Sequence, residues 1–248
     1  MVLSQRTYRR LWTTSHKSSA PVTHLSSSRT PAVAGARCGP SHLSLRGMPI
    51  VAPPFEYCAL SFLEKWVRNE RRLHDEISAD APIDSIRDAL ATFRVSRSFP
   101  ELSKKIKLVR SALLRVSGRP TRLNVVSRVD ALADQFGEDF GSRNLSAASK
   151  LLWLRYRSPV VILDARSVAA LCRLGRLSKP DSYASYHTAW CEEFEHRQSD
   201  VSDACRKLLK VEAFTSAWRT STSAFRSEVT TRWFAERSFD AFLWELGE

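Results

Sequence analysis

Apolar positions recur at helical spacing along most of the chain, and short breaks at Pro or Gly divide the pattern into segments. After Pro53-Pro54, a helix is predicted from about Glu56 to Ser78, with Leu60, Leu63, Trp66 and Val67 on one face. A second follows Pro82, with Asp84 and Ser85 in its first turn and Ile86, Leu90 and Phe93 inward. Pro100 opens a third, carrying Leu102, Ile106, Val109 and Leu113, with Lys104, Lys105, Lys107 and Arg110 on its outer face. Val125, Val126, Val129, Leu132 and Phe136 mark a fourth. Either Gly137 or Gly141 can take the left-handed conformation that closes it.

The stretch from Phe136 to Gly175 has a different character. A turn over Gly137 to Asn144 leads into a helix from Leu145 to Tyr156 that is apolar on most of its circumference. Ser146, Lys150 and Arg157 fall in one narrow polar stripe of it. Pro159 ends that helix. Val160-Val161-Ile162-Leu163 is too short and apolar for an exposed loop, and reads as a buried extended connector ending at Asp164, ahead of a helix from Ala165 to Leu174. Pro180 opens a helix bearing Tyr183, Tyr186, His187, Trp190 and Phe194. A further one is expected from about Val201 to Trp218, and a C-terminal one carries Trp233, Phe234, Phe239, Phe242 and Trp244. With few glycines and little strict alternation, the expectation is an all-α fold.

Charge divides the 248 residues into two parts. Residues 1–50 hold seven basic and no acidic residues, which leaves +5 of the formal +12 for the other 198. Residues 1–47 are rich in Ser, Thr, Arg and Pro and lack helical periodicity. They read as a disordered or mis-assigned N-terminal extension, with a transit peptide as the alternative, ahead of a helical domain over 48–248. The domain is moderately basic, which suits a polyanionic partner without requiring one. The odd set Cys38, Cys58, Cys172, Cys191 and Cys205 has no CxxC pair and reads as reduced thiols in a cytoplasmic protein. No apolar run reaches the roughly 18 residues of a membrane span. His187, Cys191 and His196 offer three weakly spaced ligands and no fourth, so no metal or other cofactor is expected. The chain has no GxGxxG, Walker or GxSxG motif.

Candidate chemistry concentrates in the central stretch. Two helices joined by a tight turn form a hairpin whose free N–H groups can hold a phosphate; Gly141, Ser142, Arg143 and Asn144 stand where that contact would be made. An ordinary helical corner is the alternative. Asp164 is a plain N-cap on one reading. On the other, the free N–H groups of a helix start hold an anion, which suits cleavage of an N-glycosidic bond, because the departing base leaves an oxocarbenium-like sugar. Lys150 is either a functional amine or a lysine that exposes only its head. Tyr183, Trp190 and Trp218 are candidate stacking surfaces for an everted base, and aromatics at such spacing are otherwise core.

ASKLLWL (148–154), PVVILDARSVAAL (159–171) and, more weakly, RWFAERSFDAFLWELG (232–247) resemble the helix-hairpin-helix DNA glycosylases, in particular the 8-oxoguanine glycosylase-like members of bacteria and archaea. The resemblance implies a two-layer helical helix-hairpin-helix glycosylase-like fold and a partner of double-stranded DNA with a damaged or modified base. It also implies that Asp164 is the catalytic carboxylate and that a flipped base is held between helical layers. The chain departs from the pattern in two places: the glycine-rich hairpin signature is replaced by FGEDFGSRNLS, and residues 141–144 contain no lysine. The expectation is a monomeric, monofunctional glycosylase in which Lys150 supports catalysis, with Ser146, Arg157 and Arg166 joining the hairpin residues at the DNA. Its substrate would be an oxidised purine or a modified base of phage DNA. A non-catalytic helical DNA-binding or adaptor protein of the same fold is the alternative.

Overall fold

The computed structural model describes residues 52–116, 118–178, 182–210 and 222–248; the extension expected over residues 1–47 lies outside them. Among the described residues every regular element is helical, and the chain is all-α. No helix among them is long and apolar enough to cross a membrane.

Among the described residues ten α-helices follow one another: α1 (Phe55–Lys65), α2 (Arg71–Ala79), α3 (Ile83–Thr92), α4 (Leu102–Arg115), α5 (Val125–Phe140), α6 (Leu145–Tyr156), α7 (Ala165–Arg173), α8 (Tyr183–Lys207), α9 (Thr222–Val229) and α10 (Arg232–Leu246). The predicted span from Glu56 to Ser78 is one continuous helical run, but its middle, Trp66–Glu70, is wound as a π turn. The N–H of Arg71 reaches back five residues to the carbonyl of Trp66. Trp66 and Glu70, at the two ends of this wider turn, both point inward and are buried. The second difference is α8. A separate helix is expected from about Val201, yet one helix covers Tyr183 to Lys207, because Val201, Ala204 and Cys205 continue the buried face begun by Tyr186 and Trp190. The expected extension to Trp218 lies outside the described residues.

The helices associate in two groups. In one, α10 packs on α1, α7 and α8, and α1 also packs on α8; in the other, α6 packs on α2 and α5, with α3 and α4 completing the set. The run from α1 through the π turn to α2 belongs to both. So does the segment after α6, which leaves the second group and delivers α7 to the first. Aromatic rings fill the interior: Phe62, Trp66, Trp233 and Phe234 interlock at centroid separations of 4.8–6.3 Å. Trp153 of α6 meets Trp66 edge-on.

Candidate active site

The hairpin forms as its residues dictate. Gly141, with φ of 78°, closes α5 by donating its N–H to the carbonyl of Gly137, so of the two candidate glycines Gly141 takes the left-handed position and Gly137 stays helical. Asn144 caps α6, its side-chain oxygen accepting the N–H of Ala147 at 2.9 Å. Gly141, Ser142 and Arg143 are exposed. The Arg143 guanidinium turns back onto α5, where it pairs with Asp130 and Asp134. That charge is thus already balanced by two carboxylates at the hairpin.

Helix α6 is buried on nearly all sides: every residue from Ala147 to Leu154 is buried, including Lys150 at 5% exposure. The polar stripe is therefore reduced to a two-residue path, Ser146 and Lys150. The Lys150 ammonium donates to Ser146 Oγ one turn back at 3.0 Å and to Asp164 Oδ2 at 3.1 Å. Its head also lies 6.0 Å from the centre of the Phe93 ring, at the end of α3. Arg157, expected in the same stripe, is elsewhere. It caps α6 with φ of 55°, donates to His74 Nε2 at 2.7 Å and lies over the rings of Trp233 and Trp66 at 4.4 and 5.3 Å. One residue past the last helical turn, the backbone has left the 100° progression on which the stripe was drawn.

Asp164 arrives at Lys150 because the preceding segment is fastened on both sides. Val160, Val161 and Ile162 are buried and form no regular ladder, so their peptide groups need other partners. Tyr183 of α8 donates its hydroxyl to the Val161 carbonyl at 2.7 Å and accepts the Val161 N–H at 3.3 Å. Tyr186 donates to the Ile162 carbonyl at 2.7 Å, and Ser149 of α6 accepts the Leu163 N–H at 3.0 Å. Asp164 then caps α7, Oδ1 accepting the Arg166 N–H at 3.0 Å, which leaves Oδ2 for Lys150. Its side chain retains 27% exposure while that of Lys150 has 7%, so the carboxylate is the part of the pair that meets solvent.

Burial pushes the Lys150 amine below the ordinary lysine value, against the upward pull of Asp164. Arg166 packs its guanidinium 3.9 Å from the centre of the Trp244 ring and pairs with Glu248 at 3.0 Å, so the C-terminal residues cover the first turn of α7. Gly247 belongs to this contact: a Cβ there would lie 1.9 Å from the Arg166 carbonyl oxygen.

Two of the three aromatic candidates, Tyr183 and Trp190, are not exposed stacking surfaces. Tyr183 is fully buried with its hydroxyl committed to the connector, and Trp190 is buried with its indole N–H donated to Asp240 at 2.8 Å. Trp218 lies outside the described residues. His187 and Cys191 approach at 3.8 Å, and no three His, Cys, Asp or Glu side chains among the described residues gather as metal ligands. The described cysteines Cys58, Cys172, Cys191 and Cys205 are free thiols.

Sequence reasoning missed Ser149, which reads as a small residue in an apolar helix, and the buried charges Glu70, Arg237 and Asp240. An Asp among aromatics in FDAFLW was the available signal for Asp240. No protein-family model, curated protein or solved structure gives a significant match to this chain.

Proposed function

We propose that this protein is a DNA glycosylase that flips a damaged or modified base out of duplex DNA and cleaves its N-glycosidic bond, with Asp164 and Lys150 as the reacting pair. The observation that carries this reading is the 3.1 Å contact between a buried amine and a partly exposed carboxylate, which are 14 residues apart and are brought together beside a helical hairpin. A cap alone would need only the Arg166 N–H contact. It would not need a lysine drawn out of water and aimed at the same carboxylate.

In the reaction, the C1′–N bond of the target nucleotide breaks and the electron pair leaves with the base. The ionised Asp164 stabilises the positive charge that develops on the sugar. Water then adds at C1′ and loses a proton, leaving an abasic site. The lowered amine of Lys150 favours a second route to the same bond cleavage. Its neutral form attacks C1′, the base departs and takes up a proton, and the aminal opens to an imine that water hydrolyses. The hairpin backbone at Gly141, Ser142 and Asn144, with Ser146 and Arg166, would contact phosphates. Arg143 would have to leave Asp130 and Asp134 to do so.

The test is base release from duplexes carrying 8-oxoguanine, uracil, alkylated purines or glucosylated hydroxymethylcytosine, scored as abasic sites. Release by the wild type that disappears in Asp164→Asn supports the reading. Borohydride trapping that depends on Lys150 selects the amine route. Intact DNA binding without release from any substrate would refute the enzyme and leave a non-catalytic DNA-binding or adaptor protein.

A further inference from the structure

Behind the Lys150–Asp164 pair lies a second set of charges that neither route uses. Glu70 projects inward from the π turn, and Arg237 and Asp240 project from successive turns of α10. The Arg237 guanidinium is 3.2 Å from Glu70 Oε1 and 3.8 Å from Asp240 Oδ2, and its planar head lies 5.2 Å from the centre of the Trp153 ring. Asp240 accepts the Trp190 indole N–H through its other oxygen. Glu70 and Asp240 are each 4% exposed, and the Arg237 side chain 13%.

Stability does not account for this arrangement. Three charges withdrawn from water seldom stabilise a core more than apolar residues of the same volume would. Here Glu70 Oε2 and Arg237 Nε are also left without a hydrogen-bond partner within the protein. Its location is more informative. Trp153, on which Arg237 lies, is three residues after Lys150, so both occupy one face of α6. The cation, paired with its two anions, therefore stands against the same side of the helix that carries the amine.

We infer that Arg237 and Asp240 are positioning residues that set the charge state of the Lys150 amine from behind the site, with Glu70 holding Arg237 in place. The inference rests on the reading of Lys150 and Asp164 as the reacting pair. The two act in opposite senses: Arg237 disfavours an ammonium at Lys150, while ionised Asp240 favours one. Burial pushes the Asp240 carboxyl up to about 7, with Arg237 and the Trp190 indole opposing, so its own charge changes near neutral pH. The other groups facing this network are Lys65 at the end of α1, Asp164 ahead of α7, Glu236 on α10, and Tyr183 and Tyr186 of α8, whose phenols burial keeps protonated. Ser146 and Phe93 complete the surroundings of the amine without charge. His74 of α2, bonded to the Leu154 carbonyl at the far end of α6, is kept neutral by burial and by Arg157.

The decisive measurement is an NMR titration of the Lys150 ε-methylene in the full chain labelled with 13C-lysine. The signal is assigned by its loss in Lys150→Met and followed from about pH 6 to about pH 11. Asp240→Asn keeps the size and the acceptor for Trp190 but removes the anion, and is expected to lower the Lys150 midpoint. Arg237→Met removes the cation and is expected to raise it. A shift of about half a pH unit, a threefold change in deprotonated fraction, is enough to decide. A packing defect gives no reason for opposite shifts.

If Arg237→Met fails to fold, Glu70→Gln replaces it. That variant leaves Arg237 without its main counter-charge and is expected to lower the Lys150 midpoint. Midpoints equal to wild type in folded variants, or shifts opposite in sign to those expected, overturn the inference. The titration decides this inference by itself, and base release decides the proposed activity, so one can fail without the other.

Discussion

Replacing Tyr183 by Phe tests whether the connector is held as described. The substitution deletes one oxygen and leaves the buried ring, so no cavity of consequence forms and no apolar contact is lost. It strands both polar groups of Val161, the carbonyl that accepts at 2.7 Å and the N–H that donates at 3.3 Å, in a segment with 3–4% exposure. Leaving a buried backbone group unpaired costs about 1–3 kcal/mol, and the longer bond should weigh less, so the expected loss is about 2–4 kcal/mol. Ser149→Ala strands only the Leu163 N–H and should cost about half as much. Urea denaturation followed by tryptophan fluorescence reads both. The midpoint should fall while the slope stays constant, because the surface exposed on unfolding does not change. Asp164 sits at the end of this segment, so base release should also drop in Tyr183→Phe under conditions where the variant is fully folded. A stability within about 0.5 kcal/mol of wild type, inside the range of an ordinary surface change, would refute the fastening role of Tyr183.

Other perturbations separate chemistry from folding. Asp164→Asn should abolish base release and keep the cap, yet lose about 1–3 kcal/mol at neutral pH because the buried Lys150 amine loses its counter-charge; Asp164→Ala, which also loses the cap, should cost about 1 kcal/mol more, read from the same denaturation curves. Lys150→Met should gain stability over wild type at neutral pH, and the gain should shrink as pH rises. The native amine lies below its unfolded value, so between the two the unfolded chain binds the extra proton and the wild type becomes more stable with increasing pH. A gain that is flat from about pH 7 to about pH 10 would contradict that sign. Gly247→Ala, scored by thermal unfolding, should lose about 1–3 kcal/mol because the new methyl group would overlap the Arg166 carbonyl and something must shift; an unchanged melting temperature would show that the C-terminal cover is loose.

What could be read in the sequence is what depends on neighbours in the chain. The spacing of most helices, a closure at Gly137 or Gly141, the Asp164 cap and the buried run before Asp164 are all local, and each stands close to where its residues imply. The contact between Lys150 and Asp164 depends on how far the chain turns between Arg157 and Leu163. That turn is set by tyrosines of α8, some twenty residues further on. The aromatics illustrate the same limit. Tyr183 and Trp190 carry a ring and a polar tip, and the sequence does not say whether the tip meets a ligand or a buried peptide group; here it meets Val161 and Asp240. Lys150 is the hardest case, since a lysine on an apolar helix usually extends its head to water, and only the carboxylate and the serine one turn back keep this one inside.

The π turn at Trp66–Glu70 has a consequence for how the chain tolerates change in length. A π turn holds one residue more than a regular turn, and that residue shifts the phase of everything after it by about 100°. Upstream, Cys58, Ala59, Phe62 and Leu63 face one group of helices; downstream, Leu73, His74 and Ile77 face the other. Deleting a residue such as exposed Arg68 would restore ordinary winding and would look harmless by composition. It would nevertheless rotate Leu73 and Ile77 away from α6 and withdraw Glu70 from Arg237. Substitutions at the exposed positions of this turn should be accepted freely, whereas insertions and deletions should not. The turn thus fixes the number of residues between the two halves of the domain more strictly than it fixes their identity.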